Sequence, residues 1–340
     1  MRISIIVPCR NEAPHIDAFL ESAFAQQLPQ PGDELEIVVA DGMSDDGTRD
    51  RLDAWRMRQP LLVVVDNPRR ITSAALNIAI RQASGEIVVR MDVHTVYAPD
   101  YVAGCVEALR RTGAMCVGGA WKPVGSGWPQ AAIAAAFESR FGSGGAASRQ
   151  AGYDGPVDTV YLGAWRRDDL LSLGGFDESL VRNQDDELNL RINRAGGVVW
   201  QSSAIRSSYA PRASFGALFR QFYQYGYWKV AVIRKHRLPA SPRHIVPFAF
   251  VLTLLVLALA GLAWTPAWIA LAVLCAVYVA AAMAGAAAFP EALRTPRGVL
   301  GYLFACMCMH AGYGIGFAQG ILDLVLLRRG PHDAMSRLTR

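Results

Sequence analysis

The N-terminal part of the chain alternates between short β-branched runs and stretches with the apolar spacing of helices. Strands are predicted at Ile3–Val7, Leu35–Ala40, Leu61–Val65 and Glu86–Met91. Amphipathic helices are predicted between them, from Ile16, from Thr48 and over Ile71–Ala83. This alternation predicts an α/β fold, with a mostly parallel sheet covered by helices on both faces.

The alternation is interrupted between residues 125 and 156. A helix predicted at Gln130–Arg140 leads into the glycine-rich segment Gly142–Gly145. Loops of this length inside compact domains are more often functional than not, so we favour a substrate loop over a surface excursion. A strand at Val157–Leu162, a turn at Gly174–Asp177 and a helix at Glu187–Ala195 are predicted to follow.

The hydrophobic content of the 340 residues is 52%, which is high for a soluble protein, and the excess lies in the C-terminal third. Its apolar stretches run over Ile245–Thr265, Ala267–Phe289 and Val299–Leu327. Each reaches the roughly 20 residues that a membrane-spanning helix needs. We therefore expect a domain over residues 1–240, a membrane region of about three helices over 241–330, and a basic tail over 331–340.

Basic residues indicate the orientation in the membrane. They precede the first apolar stretch and follow the second, which places the N-terminal domain in the cytosol by the positive-inside rule. A third crossing would put Arg328 and Arg329 outside, against that rule, whereas a re-entrant stretch broken around Gly312, Gly314 and Gly316 would not; both alternatives stay open. The N-terminal apolar run is too short for a signal peptide. We expect a multi-pass protein of the inner (plasma) membrane.

The net charge of +5 suits an anionic lipid or a phosphorylated substrate. The sequence has no lysine- and arginine-rich block with interleaved aromatic residues, so we expect no nucleic-acid partner.

Two aspartates follow predicted strands directly. Asp41 follows the second strand and Asp92 the fourth. Ligands of open α/β sheets bind at the carboxyl ends of the strands, so both are candidate binding residues. For Asp45 and Asp46, in the turn after Asp41, binding and a turn or capping role are equally supported.

Four stretches in this order resemble glycosyltransferase family 2, the inverting enzymes of the Rossmann-like GT-A fold. Within it, the chain resembles the membrane-anchored transferases of succinoglycan-type exopolysaccharide assembly. The four stretches are Val7–Glu12, Val39–Thr48, Arg90–His94 and Asn183–Arg191, with support from Gly142–Gly145, Asp158–Val160, Gly174–Glu178 and Gln224–Lys229.

The resemblance implies a nucleoside-diphosphate sugar as donor. A carboxylate at a strand end suits the N–H and O–H groups of a base and ribose, which is the role expected of Asp41. Pro8, Arg10 and Glu12 lie along the same predicted rim and are expected to bind substrate, as is Asp92.

The resemblance also implies a divalent metal that neutralises the departing diphosphate. Asp92 and His94 are the expected ligands, because side chains two residues apart at a strand end can point to the same side and share one ion. The family usually has a second aspartate where this chain has His94, and an imidazole with a carboxylate is compatible with Mn²⁺ or Mg²⁺.

The acceptor hydroxyl needs a general base, and the resemblance assigns that role to Asp185. Gln184 stands where the family has the first of two acids. Asp186 and Glu187 are the competing candidates, although acidic residues also favour a helix N-terminus for structural reasons.

The aromatic segment before the membrane region contains Gln221 and Gln224, which we expect to close over the substrate; an interfacial aromatic belt is the alternative. Processive polysaccharide synthases carry Gln-x-x-Arg-Trp here, and this chain does not. Addition of one sugar at a time is therefore favoured.

The expected reaction is inverting transfer of a sugar to a hydroxyl of a lipid-linked saccharide at the cytosolic membrane face, in exopolysaccharide or cell-surface glycan assembly. Bare polyprenyl phosphate is the rival acceptor. From other classes, a nucleotidyltransferase is disfavoured because residues 8–12 contain no glycine. A non-catalytic membrane scaffold would show no metal-dependent hydrolysis of a sugar nucleotide.

Overall fold

The computed structural model describes residues 1–286, 294–331 and 335. The chain forms two compact units. The sheet unit consists of residues 1–122 and 150–209, and the helical unit of residues 123–149 and 210–340. The predicted tail over 331–340 falls almost entirely outside the described residues, as does the end of the second apolar stretch at Phe289.

The sheet unit contains a large sheet and a small one. Its strands are β1 (Arg2–Cys9), β2 (Glu34–Asp41), β3 (Leu62–Asp66), β4 (Ile87–Arg90), β5 (Thr95–Tyr97), β6 (Cys116–Gly119), β7 (Trp121–Pro123), β8 (Gly155–Pro156), β9 (Tyr161–Arg166), β10 (Val199–Gln201) and β11 (Ser207–Tyr209). The eight-stranded sheet has the order β3-β2-β1-β4-β9-β6-β10-β8, and the three-stranded sheet the order β5-β11-β7.

The first four strands of the large sheet are parallel, as the alternating sequence predicts. β1 pairs in parallel with both β2 and β4, and β2 pairs with β3. β9 runs antiparallel between β4 and β6. The mixed, mostly parallel α/β fold is confirmed, and the carboxyl ends of β1, β2 and β4 lie side by side.

Helices cover both faces of this sheet. They are α1 (Ile16–Phe24), α2 (Thr48–Arg56), α3 (Thr72–Gln82), α4 (Tyr101–Thr112), α6 (Arg167–Ser172) and α7 (Gln184–Arg194), while α5 (Gln130–Glu138) belongs to the helical unit. One core packs side chains of α1, α2 and α4 against the sheet. The other packs those of α3, α6 and α7.

Two predicted boundaries were wrong. The strand predicted at Val157–Leu162 begins only at Tyr161 and runs to Arg166. The helix predicted from Glu187 starts at Gln184, because Asn183 adopts a left-handed conformation with φ 61° and turns the chain into the helix three residues earlier. Asp185 is therefore in the first turn of α7.

The helical unit contains α5, α8 (Phe215–His236), α9 (Val246–Gly261), α10 (Pro266–Ala286) and α11 (Pro296–Gly320), which continues as a π-helical segment over Ile321–Leu326. α8 and α11 pack at glycines. A Cβ built on Gly226 would lie 2.0 Å from the carbonyl oxygen of Tyr313, and one on Gly316 would lie 2.0 Å from that of Tyr223. This approach requires glycine on both helices.

Among the described residues, two helices are long and apolar enough to cross a membrane, not the three expected. They are Pro266–Ala286 and Pro296–Leu326. The first apolar stretch forms only the 16-residue helix α9, which is shorter than a typical span. The third stretch is helical from Val299 to Leu326, so it lacks the break around Gly312, Gly314 and Gly316 that the re-entrant alternative needs.

Candidate functional site

Asp41 is the last residue of β2 and is 2% exposed. The Ser44 hydroxyl donates to Asp41 Oδ1 over 2.5 Å, and the Ser44 amide points to the same carboxylate at 3.3 Å. Met43, between them, has φ 58°, which turns the chain back over the strand end. The predicted strand-end carboxylate is therefore fixed in place by its own turn.

The segment after β1 is held against this turn. The amide of Asn11 donates to Ser44 Oγ over 2.8 Å, and that of Glu12 to Thr48 Oγ1 over 2.7 Å. The two residues are thus aligned beside the end of β2, because β1 and β2 are in parallel register up to Cys9 and Asp41. The rim expected to contain Pro8, Arg10, Glu12 and Asp41 is assembled as a continuous edge.

Asp45 and Asp46 belong to the framework of this rim. Asp45 Oδ1 accepts from the Asn11 side chain over 2.8 Å. Asp46 accepts from the hydroxyl and amide of Thr48 and from the amide of Ala13. Partial burial raises the pKa of Asp46, but these hydrogen bonds outweigh that effect and lower the pKa. Of the two roles left open by the sequence, these contacts favour the turn role.

Two arginines accompany the rim. Arg49 Nη1 lies 3.6 Å from Asp41 Oδ2 and 2.6 Å from Asp66 Oδ1, so the Asp41 carboxylate faces a cation on one side. The stem of Arg10 lies over Gly42, where an added Cβ would come within 3.1 Å of Arg10 Cβ. Gly42 thereby lets Arg10 lie close to the strand end.

Arg90 ends β4 and joins two of the predicted site residues. Its Nε and Nη2 donate to Asp92 Oδ1 and Oδ2 over 2.9 and 3.0 Å, and its Nη1 donates to Asp185 Oδ1. The guanidinium side chain is 4% exposed, whereas the two carboxylates are 31% and 29% exposed. Burial opposes its charge, yet Asp185 and Asp92 outweigh that effect and raise the pKa of Arg90. The structure thus places Asp92 and Asp185 on one buried cation.

The electrostatic setting of Asp185 suits a proton acceptor. Withdrawal from solvent is the main cause that raises the pKa of its carboxyl to about 6, with Asp92 and Asp186 adding to the effect and Arg90 opposing it. A carboxylate with this pKa is ionised near neutral pH and is a stronger base than an ordinary aspartate.

Glu187, a competing candidate for the base, has a structural role. It is fully buried, and both of its oxygens accept from Nε of Arg191, at 2.9 and 3.0 Å. Arg191 also donates to the carbonyl oxygens of Leu173 and Gly175, which ties α7 to the preceding turn. Asp186 remains an alternative candidate for the general base, as the sequence indicated.

Asp92 and His94 lie in a turn, so the side-by-side geometry inferred from strand alternation does not apply to them. The amide of Thr95 donates to the carbonyl of Asp92 over 3.1 Å. His94 Nε2 lies 2.9 Å from Glu12 Oε1, and the His94 side chain is 41% exposed. Histidine and glutamate therefore link the end of β4 to the rim after β1.

A divalent metal is compatible with these side chains. In the part of the chain that the structure describes, no three His, Cys, Asp or Glu side chains are grouped around a common metal position. Each Asp92 oxygen has lone pairs beyond the one that Arg90 uses, and the imidazole of His94 is accessible. Mg²⁺ is often bound by one or two carboxylates with substrate phosphates as the other ligands, so a small protein contribution suffices.

Tyrosines that the sequence did not single out surround the Asp92 turn. Tyr97 Oη accepts from the amide of Asp92 over 2.6 Å and lies 3.1 Å from its carbonyl oxygen. Tyr161 Oη is 2.8 Å from Thr95 Oγ1. Burial, reinforced by the Asp92 charge, raises the pKa of both phenols, so they remain neutral. Each of these tyrosines lies in a short strand, and no sequence pattern distinguishes it from an ordinary core residue.

Gln221 and Gln224 lie on α8 in the helical unit, and both are buried. Gln221 Nε2 donates to Tyr225 Oη over 2.9 Å. Their expected role in covering the substrate remains a prediction.

Comparison with known proteins gives a consistent set of likenesses. The family model described as "Glycosyl transferase family 2" matches residues 4–171. The succinoglycan biosynthesis protein ExoA of Rhizobium meliloti (strain 1021) is 33% identical over 321 residues, which are 94% of either chain. A dolichyl N-acetyl-alpha-D-glucosaminyl phosphate 3-beta-D-2,3-diacetamido-2,3-dideoxy-beta-D-glucuronosyltransferase of Methanococcus voltae is 28% identical over 76% of this chain and 82% of its own.

Solved structures agree on the fold. The mannosyltransferase PcManGT from Pyrobaculum calidifontis, in complex with GDP-Man and Mn²⁺, superposes with a TM-score of 0.63 and 24% identity, covering 92% of this chain and 86% of its own. S. aureus TarS 1-349 superposes with a TM-score of 0.50 and 18% identity, covering 94% and 91%. At these identities the likeness is one of fold, and that fold is GT-A.

Proposed function

Because the chain belongs to glycosyltransferase family 2, we propose that it transfers a sugar from a nucleoside-diphosphate sugar to an acceptor hydroxyl with inversion at the anomeric carbon. The observation that carries this proposal is the Arg90 bridge. It joins a candidate donor-side carboxylate, Asp92, to a candidate base, Asp185.

Asp185 is the proposed general base. The acceptor oxygen forms the new bond to the anomeric carbon while the bond from that carbon to the diphosphate oxygen breaks. The hydroxyl proton passes to the Asp185 carboxylate, and the nucleoside diphosphate leaves with the bonding electrons. A raised pKa, about 6, makes Asp185 a suitable acceptor for that proton.

The rim after β1 and β2 is the proposed donor site. Asp41 and Glu12 offer carboxylate oxygens to base or ribose, and Arg10 offers a cation to the diphosphate. Pro8, the half-buried next-to-last residue of β1, is proposed to border the donor.

Asp92 and His94 would hold a divalent ion, Mn²⁺ or Mg²⁺. When bound, the ion supplies positive charge to the departing diphosphate. The Mn²⁺ in the PcManGT complex supports this proposal by analogy of fold.

The metal proposal predicts a selective effect of His94. We expect chelation to abolish nucleoside-diphosphate release, and His94→Ala to raise the metal concentration needed for half-maximal rate about tenfold or more, since loss even of a residue that only supports a metal ligand costs about that much. His15→Ala is the matched control, since the His15 ring packs on His94 at 5.1 Å between centroids without any assigned role. Equal metal requirements in both variants would contradict the assignment.

We further propose a lipid-linked saccharide as acceptor, with the chain anchored in the plasma membrane by its region 241–330 and residues 1–240 on the cytosolic side. α10 supports this, because most of its residues are exposed and only Ala267, Ala282 and Ala286 are buried. The names of the two relatives, one of succinoglycan biosynthesis and one of a dolichyl phosphate sugar, support a saccharide acceptor carried on lipid.

A screen of sugar nucleotides tests the function. Membranes containing the protein are incubated with each donor and a lipid extract, and released nucleoside diphosphate and labelled lipid are measured. We expect metal-dependent transfer from an α-linked donor to give a β-linked product by NMR. A product with the donor's anomeric configuration would contradict inversion, and no transfer from any donor would contradict the enzyme class.

A further inference from the structure

The side chain of Arg90 points into the core beneath the proposed site. Val88, two residues earlier on β4, belongs to the core cluster that includes Leu188 of α7. Side chains two apart on a strand share a face, so Arg90 projects on the same side and meets the first turn of α7. Strand register, not loop conformation, therefore sets where the guanidinium lies.

A buried arginine at this position is costly for the fold. Removing a guanidinium from water is unfavourable unless its charge and donors are satisfied, and an apolar residue would fill the core at lower cost. Arg90 is paired at its outer end, with two carboxylates that remain about 30% exposed while it is 4% exposed. The cation thus supports two partly open acidic groups from behind.

We propose that Arg90 is a positioning residue that holds the Asp185 carboxylate in the orientation needed to accept the acceptor proton, in fixed relation to Asp92. This inference rests on the proposed function. Arg90 bonds only one oxygen of Asp185, Oδ1, so the pair does not occupy Oδ2. By contrast, it holds both oxygens of Asp92 in a planar fork, a geometry that lysine cannot reproduce.

The charge of Arg90 also favours the ionised form of Asp185, which is the form that accepts a proton. It opposes the rise in the pKa of Asp185 that burial causes, so more of the base is ionised when the acceptor arrives. Orientation and charge are separable, because Arg90→Lys keeps the cation and loses the fork.

A double-mutant cycle tests the inference. Wild type, Arg90→Lys, Asp185→Asn and the double variant are compared in single-turnover transfer of a radiolabelled sugar, with the donor KM measured for each active variant. At saturating donor we expect Arg90→Lys to lower kcat about 30- to 100-fold, as small misplacements of catalytic groups do, whereas a rise in donor KM would report the lost fork on Asp92. Because Arg90 acts through Asp185, the double variant should be no slower than Asp185→Asn alone.

Arg191→Lys is the matched control. Arg191 also bonds an acidic residue of α7, but its partner is the buried Glu187. We expect this variant to lower the melting temperature, to change kcat less than about twofold, and to combine multiplicatively with Asp185→Asn.

The outcomes separate the two proposals. An Asp185→Asn variant as active as wild type overturns the base assignment of the proposed function. If Asp185→Asn is inactive but Arg90→Lys keeps its kcat, or the two losses multiply, the positioning role of Arg90 is overturned. An Arg90→Lys chain that no longer folds also overturns it, since the guanidinium would then be a requirement of the fold.

Discussion

At the scale of single residues, the site depends on how buried charges are paired. Arg90 and Arg191 are both held by carboxylates of the first turn of α7, but with different partners. Arg191 donates to both oxygens of the fully buried Glu187, whereas Arg90 donates to one oxygen of the partly exposed Asp185. The same helix turn thus supplies one structural and one candidate catalytic carboxylate.

The pKa of Asp185 predicts the pH dependence of the reaction. The carboxyl must be ionised to accept a proton, and its pKa is about 6. We therefore expect kcat/KM to fall about tenfold per pH unit below about pH 6 and to level off above it. Initial rates between pH 4.5 and 8 at saturating metal test this. A profile that stays flat down to pH 5 would contradict the assignment.

At the scale of elements, a buried acid ties neighbouring strands together at their amino-terminal ends, opposite the edge that carries the candidate site. Glu36 on β2 accepts from Ser4 of β1 and from the hydroxyl and amide of Ser84, just before β4. Burial opposes the ionised form, but these hydrogen bonds prevail and lower the pKa of Glu36. Its contribution to stability is therefore present above about pH 4.5 and is lost as the pH falls through the lowered pKa.

Glu36→Gln should destabilise the sheet unit by about 2 kcal/mol, because an amide replaces an acceptor oxygen that faces donors. Glu34→Gln, two residues earlier, is the control: its ion pair with Arg2 is exposed and should contribute less than about 1 kcal/mol. Thermal unfolding in detergent at pH 7 measures both. Equal losses of stability in the two variants would contradict a stabilising role of Glu36 beyond that of an exposed ion pair.

The contact of α8 with α11 predicts another pair of effects. Gly316→Ala places a methyl group against the carbonyl oxygen of Tyr223, so the helices must separate and we expect a loss of about 3 kcal/mol or more. Gly216→Ala on α8 meets no atom within 4 Å and should be neutral or slightly stabilising. Melting temperatures of the two alanine variants, measured side by side, test this; similar values would contradict close packing at Gly316.

The sequence predicted the parallel strands and the strand-end position of Asp41 because long apolar runs with regular spacing report burial directly. It failed where local backbone conformation decides. The left-handed Asn183 shifts the start of α7, and the turn at Asp92 removes the alternation used to relate Asp92 to His94. β5, β7 and β11 have three residues each, too few for a period to be read.

The sequence assigned no role to Arg90, although this residue begins one of the four family stretches, since pairing between residues 95 positions apart leaves no mark in one sequence. An arginine at the end of an otherwise apolar strand was the available signal. A charge placed there needs a partner, and the acidic first turn of α7 provides it.

At the scale of the whole molecule, a sheet unit of GT-A fold is combined with helices that expose apolar side chains. α8 belongs to the helical unit, together with α5 and α11, although its sequence is much less apolar than that of α10. In the region proposed to anchor the chain, α11 packs against α8, the amphipathic helix of the same unit. This arrangement suits an enzyme whose acceptor is carried on lipid.

The proposed sugar transfer by this chain depends on Asp185 as the base. This dependence is tested most directly by labelled-sugar transfer in membranes that contain equal amounts of wild type, Asp185→Asn or Asp186→Asn. We predict that Asp185→Asn loses at least about 100-fold in rate, the usual contribution of general base catalysis, while Asp186→Asn, changed at the next residue of the same turn, stays within about fivefold of wild type. An Asp185→Asn variant that transfers sugar as fast as wild type, or a larger loss in Asp186→Asn, would contradict it.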